Sequence, residues 1–435
     1  MSCLLNAAYL ATLLGATPWI AYRMLRTGRY RAGWGEKLWG RVPIRAGNES
    51  CIWMHAVSVG EVNLLAPLVE RLESRGYLRC VVSSTTDTGL ALARRKYPHL
   101  TAFYAPLDFS WSVGRAMQRI RPDLLVLAEL ELWPNLIRAA RKRGTRIAVV
   151  NGRLSERSFR GYRRIGPLAS SMLRSIDLIA AQNDHYAERF LRLGARPESV
   201  RVTGSLKFDG AQTNRDNPHT NRLAALAGIA SDDAVFLAGS TQQPEESLAL
   251  AAYERLRAAH PKLRLILVPR HPERFDEVAA LLDRSGHAWQ RRSRLDTEGA
   301  NPRARILLVD TVGELGAWWG TANFAFVGGS LGSRGGQNMI EPAAYRAAVS
   351  FGPNTRNFRD VVTQMLDRGA AVVVRDSSEM TEFVRRCLEV PRYAASLGER
   401  AARLVRDNLG ATDRTLELLD QLLPKSDSSD NRAAA

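Results

Sequence analysis

The sequence predicts an α/β protein with two doubly wound domains behind an N-terminal apolar helix. Three observations carry this. The chain has 435 residues, too many for one ordinary core and enough for two domains of about 200 residues. After Gly47, short apolar runs alternate with stretches of helical period, the order that builds parallel sheets. Before it, Ser2 to Tyr22 holds no charged side chain. Apolar residues at 45% and charged residues at 24% exclude a disordered, collagen-like or polytopic membrane chain.

Residues 1–22 read as a membrane anchor. As a helix, Ser2 to Tyr22 is about 31 Å long at about 1.5 Å per residue, roughly one hydrocarbon core. Asn6, Gly15, Thr17 and Pro18 dilute its apolar character, so a shallow or tilted anchor fits as well as a full span. No Lys or Arg precedes the run and no small-x-small site follows it, which disfavours a cleaved signal peptide. Residues 23–48 are basic: Arg23, Arg26, Arg29, Arg31, Lys37, Arg41 and Arg45 against Glu36. By the positive-inside tendency, the rest of the chain is expected on the cytoplasmic side. The same residues would attract anionic membrane lipids; a solvated basic linker is the plainer alternative. The whole chain carries 61 basic and 44 acidic residues, a net +17, which calls for a polyanionic partner. No nucleic-acid module accompanies the charge, so nucleic acid is not the expected one. Cys3, Cys51, Cys80 and Cys387 have no paired spacing, signalling neither disulfides nor zinc.

Residues 49–210 form the first α/β domain. Strands are expected at Cys51–Val57, Cys80–Thr85, Ala102–Leu107, Leu124–Ala128, Arg146–Val150 and Leu178–Ala181, closing with Val200–Phe208. A polar, breaker-rich linker covers 211–222. The second domain, 223–424, restarts with strands at Ala234–Ala238, Leu263–Val268, Arg305–Val309 and Phe324–Val327. Helices are expected near Val312–Trp319 and Asn338–Ala347, then a last one from about Met380 to Leu423, able to return to the first domain. The tail 425–435 has no apolar period and reads as disordered. Two such halves facing each other would form a cleft, with ligands beyond the strands' carboxyl ends.

The turns after strands carry the candidate chemistry. In HAVSVGEVN (55–63) a strand turns sharply into a helix opened by Glu61. The helix dipole and free N–H groups favour its ionised form, as a general base requires; a first-turn Glu also simply stabilises its helix. In LAELELWPN (127–135), Glu129 and Glu131 alternate at a strand end and should point to opposite sides if the strand continues. That argues against a shared metal, and no His cluster supports one. VPRHPERF (268–275) delivers Arg270 and His271 to a loop, Arg270 with a donor fork suited to phosphate. FVGGSLGSRGGQNMIEPAAYR (326–346) runs from a strand through a glycine-rich loop into a helix, with Glu341 placed to accept from ribose hydroxyls. It is neither a Walker A loop nor the dinucleotide fingerprint. TVGEL (311–315) and TGSLKFD (203–209) add turns, with Lys207 able to neutralise a carboxylate or phosphate.

Together the stretches GEKLWG (35–40), HAVSVGE (55–61), ELWPNL (131–136), NGRLSERS (151–158), AAQN (180–183), VTGSLKFD (202–209), LILVPRHPERF (265–275), DTVGEL (310–315) and FVGGSLGSRGGQN (326–338) resemble the 3-deoxy-D-manno-octulosonic acid (Kdo) transferases of lipopolysaccharide synthesis. They run in that family's order. The resemblance implies a GT-B fold, two Rossmann-like domains facing across a cleft, with an N-terminal signal-anchor at the cytoplasmic side of the cell inner membrane. It implies CMP-Kdo as donor, a tetra-acylated lipid A precursor (lipid IVA) as acceptor, inversion at the transferred sugar, and no cofactor or metal. The absence of an Asp-x-Asp motif is consistent with the last. Glu61 then matches the proton acceptor and Glu131 a cleft carboxylate. Pro269 and Arg270, then Val312, Gly313 and Glu314, then Asn338, Met339, Ile340 and Glu341 match the segments that hold the cytidine nucleotide. Lys207 would help to stabilise charge. The sequence departs from the family's pattern at Lys37, where Arg is common. Gln242-Gln243-Pro244 replaces His-x-Gly, and Gln337 and Met339 interrupt the glycine-loop run. Another GT-B transferase or an epimerase using a uridine donor, and a basic nucleic-acid binder, are the rivals.

Overall fold

The computed structural model describes residues 2–27 and 32–424. Arg29 and Arg31 of the basic segment, and the tail 425–435, lie outside the described residues. The chain divides into two compact units. One contains the residues up to Asp209 and those from Leu409 on; the other runs from Gly210 to Asn408.

The first unit is built on a parallel seven-stranded sheet. Its strands are β1 (Ser50–Ala56), β2 (Leu78–Ser84), β3 (Thr101–Tyr104), β4 (Leu124–Ala128), β5 (Arg146–Gly152), β6 (Leu178–Ala181) and β7 (Val200–Val202), in the order β3-β2-β1-β4-β5-β6-β7. Helices cover both faces, so the central strands are apolar on both sides. Trp53 and Leu125 point into one core, and Met54 and Val126 into the other. Two polar side chains buried in this sheet, Ser83 and His55, are paired. Ser83 Oγ accepts Trp53 Nε1 at 2.7 Å and lies 2.9 Å from His55 Nδ1. Burial pushes His55 down to about 4, so this imidazole is neutral.

The second unit repeats the plan. β8 (Ala234–Thr241), β9 (Leu263–Pro269), β10 (Trp289–Arg291), β11 (Ile306–Leu308), β12 (Phe324–Val327), β13 (Ala348–Phe351) and β14 (Ala371–Val373) pair in parallel as β10-β11-β9-β8-β12-β13-β14. Two parallel sheets with flanking helices are the GT-B arrangement. β10, β13 and β14 were not expected from the sequence. The helices expected near Val312–Trp319 and Asn338–Ala347 shorten to Leu315–Trp318 and Ile340–Ala344. Gly313 at φ 95° holds the first turn out of helical geometry.

The expected single last helix is three: Ser377–Glu389, Pro391–Asn408 and Ala411–Asp420. Pro391 lacks the N–H that would continue the first. Gly410, at φ 83°, turns the chain into a left-handed conformation before the third. That third helix belongs to the first unit. Asp209 accepts the Gly410 amide at 2.7 Å and also the Thr412 amide, and Arg414 Nε donates to the Thr203 carbonyl at 2.8 Å.

An N-terminal helix, Ser2–Thr27, is long and apolar enough from Ser2 to Arg26 to be a candidate membrane anchor. Two members of the basic segment behind it are not free for lipid headgroups. Lys37 is buried, 3.9 Å over the Tyr104 ring and 3.7 Å from Asp87, and burial holds its pKa below the usual lysine value. Arg45 donates to the carbonyls of Ile120 at 2.7 Å and Arg121 at 3.1 Å. A guanidinium that satisfies buried carbonyls costs too much to withdraw.

Candidate active site

In each sheet the strand order reverses at one point, between β1 and β4 in the first and between β8 and β12 in the second. Ligands of open α/β sheets bind beyond the strands' carboxyl ends at such points. The candidate residues gather there in both units.

In the first unit, β1 runs into the turn Val57–Ser58 and helix Val59–Glu73, with Glu61 in its first turn. Glu61 Oε2 accepts the Val57 amide at 2.8 Å, and Oε1 accepts the Ser58 hydroxyl at 3.1 Å. Both oxygens are thereby fixed, each with a lone pair to spare. Burial pushes Glu61 above its ordinary value. The Val57 amide, the Ser58 hydroxyl and the Lys207 charge oppose that push, and the Glu129 charge adds to it. The helix start alone was expected to favour the ionised form; desolvation outweighs it.

β4 ends at Ala128, and Glu129 adopts φ 55°. The strand therefore ends before Glu129, and residues two apart in a strand share a face in any case, so the expectation of opposed side chains fails. Glu131 is raised to about 7, first by burial and then by the Glu61 charge, while a hydrogen bond from Trp133 Nε1 at 3.0 Å resists. Lys207, from the turn after β7, stands 3.7 Å from Glu129 Oε1. Glu61, Glu129, Glu131 and Lys207 thus form one electrostatic group. Among the described residues, no cluster of three or more His, Cys, Asp or Glu is arranged to hold a metal ion.

In the second unit, the glycine-rich loop after β12 is fastened to the turn after β8 by a residue the sequence reading passed over. Glu245, 1% exposed, accepts the amides of Gly329 (2.7 Å), Ser330 (2.9 Å), Leu331 (3.0 Å) and Gln242 (2.9 Å). A Cβ on Gly328 would lie 2.6 Å from the Ser240 carbonyl oxygen, so only glycine fits there. The signal for Glu245 was an acid directly after Gln242-Gln243-Pro244 at a strand end, but three of its four partners lie more than 80 residues away.

The other residues expected at a donor site divide. Pro269 ends β9, and exposed Arg270 follows it. Burial raises Glu341, while a hydrogen bond from Asn338 (2.9 Å) and the Arg270 charge oppose the rise. The structure therefore brings Arg270, Asn338 and Glu341 together. Val312 and Gly313 form an exposed turn. Glu314 beneath it is committed: it accepts from Arg292 Nε and Nη2 at 2.8 Å each and from the Thr311 hydroxyl at 2.7 Å. Burial alone would raise Glu314, but these partners hold it low. Met339 and Ile340 have core side chains, 0% and 1% exposed, and the Ile340 amide is taken by Asn338 Oδ1 at 3.1 Å.

The sequence model of the 3-Deoxy-D-manno-octulosonic-acid transferase (kdotransferase) family matches residues 29–210. A 3-deoxy-D-manno-octulosonic acid transferase of Bordetella pertussis is 35% identical over 96% of this chain and 99% of its own. One from Haemophilus influenzae is 34% identical over 87% and 90%. Among solved structures, the UDP-GlcNAc 2-epimerase of Neisseria meningitidis overlays with a TM-score of 0.57 at 11% identity, over 85% of this chain and 100% of that one; the likeness is one of fold. A matching family model and about a third of positions identical over nearly the full length of such enzymes lead to one conclusion: the chain belongs to the 3-deoxy-D-manno-octulosonic acid transferase family.

Proposed function

We propose that the protein is a glycosyltransferase that moves Kdo from CMP-Kdo to a hydroxyl of a tetra-acylated lipid A precursor, at the cytoplasmic face of the inner membrane. The observation that carries this reading is the group formed by Glu61, Glu129, Glu131 and Lys207 in a chain of this family. Glu61 takes the proton of the acceptor hydroxyl. The hydroxyl oxygen forms a bond to the anomeric carbon of Kdo from the face opposite the leaving group. The bond from that carbon to the CMP phosphate oxygen breaks, and its electron pair leaves with CMP. One displacement gives inversion. CMP departs as a phosphate monoester, so cationic and backbone donors can suffice and the proposed step uses no metal.

Roles divide by unit. In the first, Val57 and Ser58 aim Glu61, and Glu131 shares its field. Lys207 offsets the local negative charge through Glu129. In the second, Glu341 and Asn338 suit ribose hydroxyls, and Arg270 suits the phosphate. The exposed Val312–Gly313 turn offers backbone donors, while Met339 and Ile340 support the loop from within. Helix Ser2–Arg26 and the exposed Arg41 face anionic lipids.

The test is turnover of the purified full chain with CMP-Kdo and a tetra-acylated lipid A precursor, the product read by mass. CMP is expected to bind more tightly than UDP. A uridine preference with no Kdo product would refute the reading.

A further inference from the structure

The N-terminal helix is fastened to the first unit by polar side chains. Ser2, Asn6 and Tyr9 recur at one face of helix Ser2–Thr27. Arg138 Nη1 donates to Ser2 Oγ at 2.5 Å. Asn6 uses its whole amide: Nδ2 donates to Ser110 Oγ (2.7 Å), and Oδ1 accepts the Ser110 amide (3.0 Å) and Asn135 Nδ2 (3.3 Å). The Tyr9 hydroxyl donates to Asp108 Oδ2 at 3.1 Å, and its ring meets Phe109 edge-on at 6.1 Å. A membrane tether needs none of this; an apolar face would serve it.

These contacts converge on Asp108, which is 5% exposed. Helix Pro134–Lys142 begins after Trp133, whose side chain makes no capping bond. Asp108 caps it from a distance. Its Oδ2 accepts the Asn135 amide at 3.0 Å, its Oδ1 the Leu136 amide at 2.8 Å, and its carbonyl Asn135 Nδ2 at 2.6 Å. The segment between the end of β4 and this helix start is the turn that carries Glu129, Glu131 and Trp133. A start fixed by Asp108 therefore fixes where that turn ends.

We propose that the N-terminal helix is a positioning element of the acceptor-side carboxylates as well as an anchor. Asn6 and Tyr9 complete the polar node at Asp108 and Asn135 that holds the Glu129–Trp133 turn in register with Glu61. The inference rests on the assignment of Glu61 and Glu131 to the reaction. Neither Asn6 nor Tyr9 touches the reacting atoms; both act through Asp108 and helix Pro134–Lys142.

The test uses the full-length protein with vesicles of phosphatidylethanolamine and phosphatidylglycerol, CMP-Kdo and the tetra-acylated acceptor. Asn6→Leu keeps the branched shape, removes the amide and does not weaken membrane affinity. Expected are wild-type flotation with the vesicles, an unchanged KM for CMP-Kdo, and a kcat lower by about 10-fold or more, the scale on which a displaced catalytic group costs rate. The pH–rate profile should also shift toward lower pH as water reaches Glu131, a readout that simple loss of folded protein would not move. Tyr9→Phe, which deletes one hydroxyl, should move both readouts the same way and less, and it serves if Asn6→Leu does not fold. Wild-type kcat and pH profile in the folded variants would overturn the proposal. So would a loss of activity that only tracks the vesicle-bound fraction. Glu61→Gln and Glu131→Gln, assayed alongside, judge the underlying assignment separately: full activity in both defeats that assignment whatever Asn6→Leu does.

Discussion

The Lys207 ammonium stands 3.7 Å from a carboxylate oxygen of Glu129, linking the turn after β7 to the turn after β4. One of three neighbouring carboxylates thus has a cation of its own. Glu61 and Glu131 share a partly desolvated space, in which each is pushed toward its protonated form. Crowded carboxylates of this kind are the raw material of proton transfer near neutral pH.

Glu61→Gln is nearly isosteric and can still accept the Val57 amide. It should keep the fold and CMP binding and lose roughly 10²–10⁴-fold in kcat, the range for a positioned base. Single-turnover kinetics with folded, CMP-binding variant protein would check it. Near wild-type rates would remove Glu61 from the role.

The transfer rate should rise with pH and level off above about 7, the value to which burial and the Glu61 charge raise Glu131. Below it the group holds protons and the base is less available. Stability has the opposite slope. Between its ordinary 4.5 and about 7, the folded chain keeps a proton on Glu131 that the unfolded chain has lost, so stability falls as pH rises through that window. Glu131→Gln should flatten this slope in urea titrations at stepped pH; an unaltered slope would assign the dependence elsewhere.

Glu245→Ala should orphan the amides of Gln242, Gly329, Ser330 and Leu331. A loss of about 2–4 kcal/mol is expected, some of the desolvation penalty being relieved by entering water. CMP affinity should weaken with it. Calorimetric unfolding together with CMP titration would measure both, and an unchanged CMP affinity would separate the loop's order from donor binding.

Leu419, fully buried in the first unit's core, tests the returning helix. Leu419→Ala should cost about 2–5 kcal/mol. Amide exchange should rise in β1 and β4, while β8 and β12 stay protected. Loosening confined to the second unit would contradict the assignment.

Much of this was legible because parallel strands buried on both faces write themselves as continuous apolar runs, and candidate chemistry follows where they stop. Ile52–Ala56 and Leu263–Val268 are such runs, and Glu61 and Arg270 were found from them. β10 and β14 were illegible for the converse reason: they are edge strands of three residues each, only partly buried, with no period to detect. Glu129 and Glu131 were misjudged for another reason: residues two apart in a strand share a face, and the strand ends before Glu129 in any case. Distant partners decided the rest. Lys37 counts as a surface charge in composition, yet Tyr104 and Asp87 enclose it. Asp108 and Glu245 act on amides far along the chain, which no spacing rule encodes.

Helix Ala411–Asp420 also bears on how the chain is made. Ala411, Leu416, Leu419 and Leu423 fill the same core as Ile52 and Val126, so a face of the first sheet is sealed by residues the ribosome adds only after the second unit. The second unit, an uninterrupted stretch, can mature while that face is still bare. Of the two units the one begun first is the one finished last, and a nascent chain would carry an open apolar surface until the whole second unit had been made.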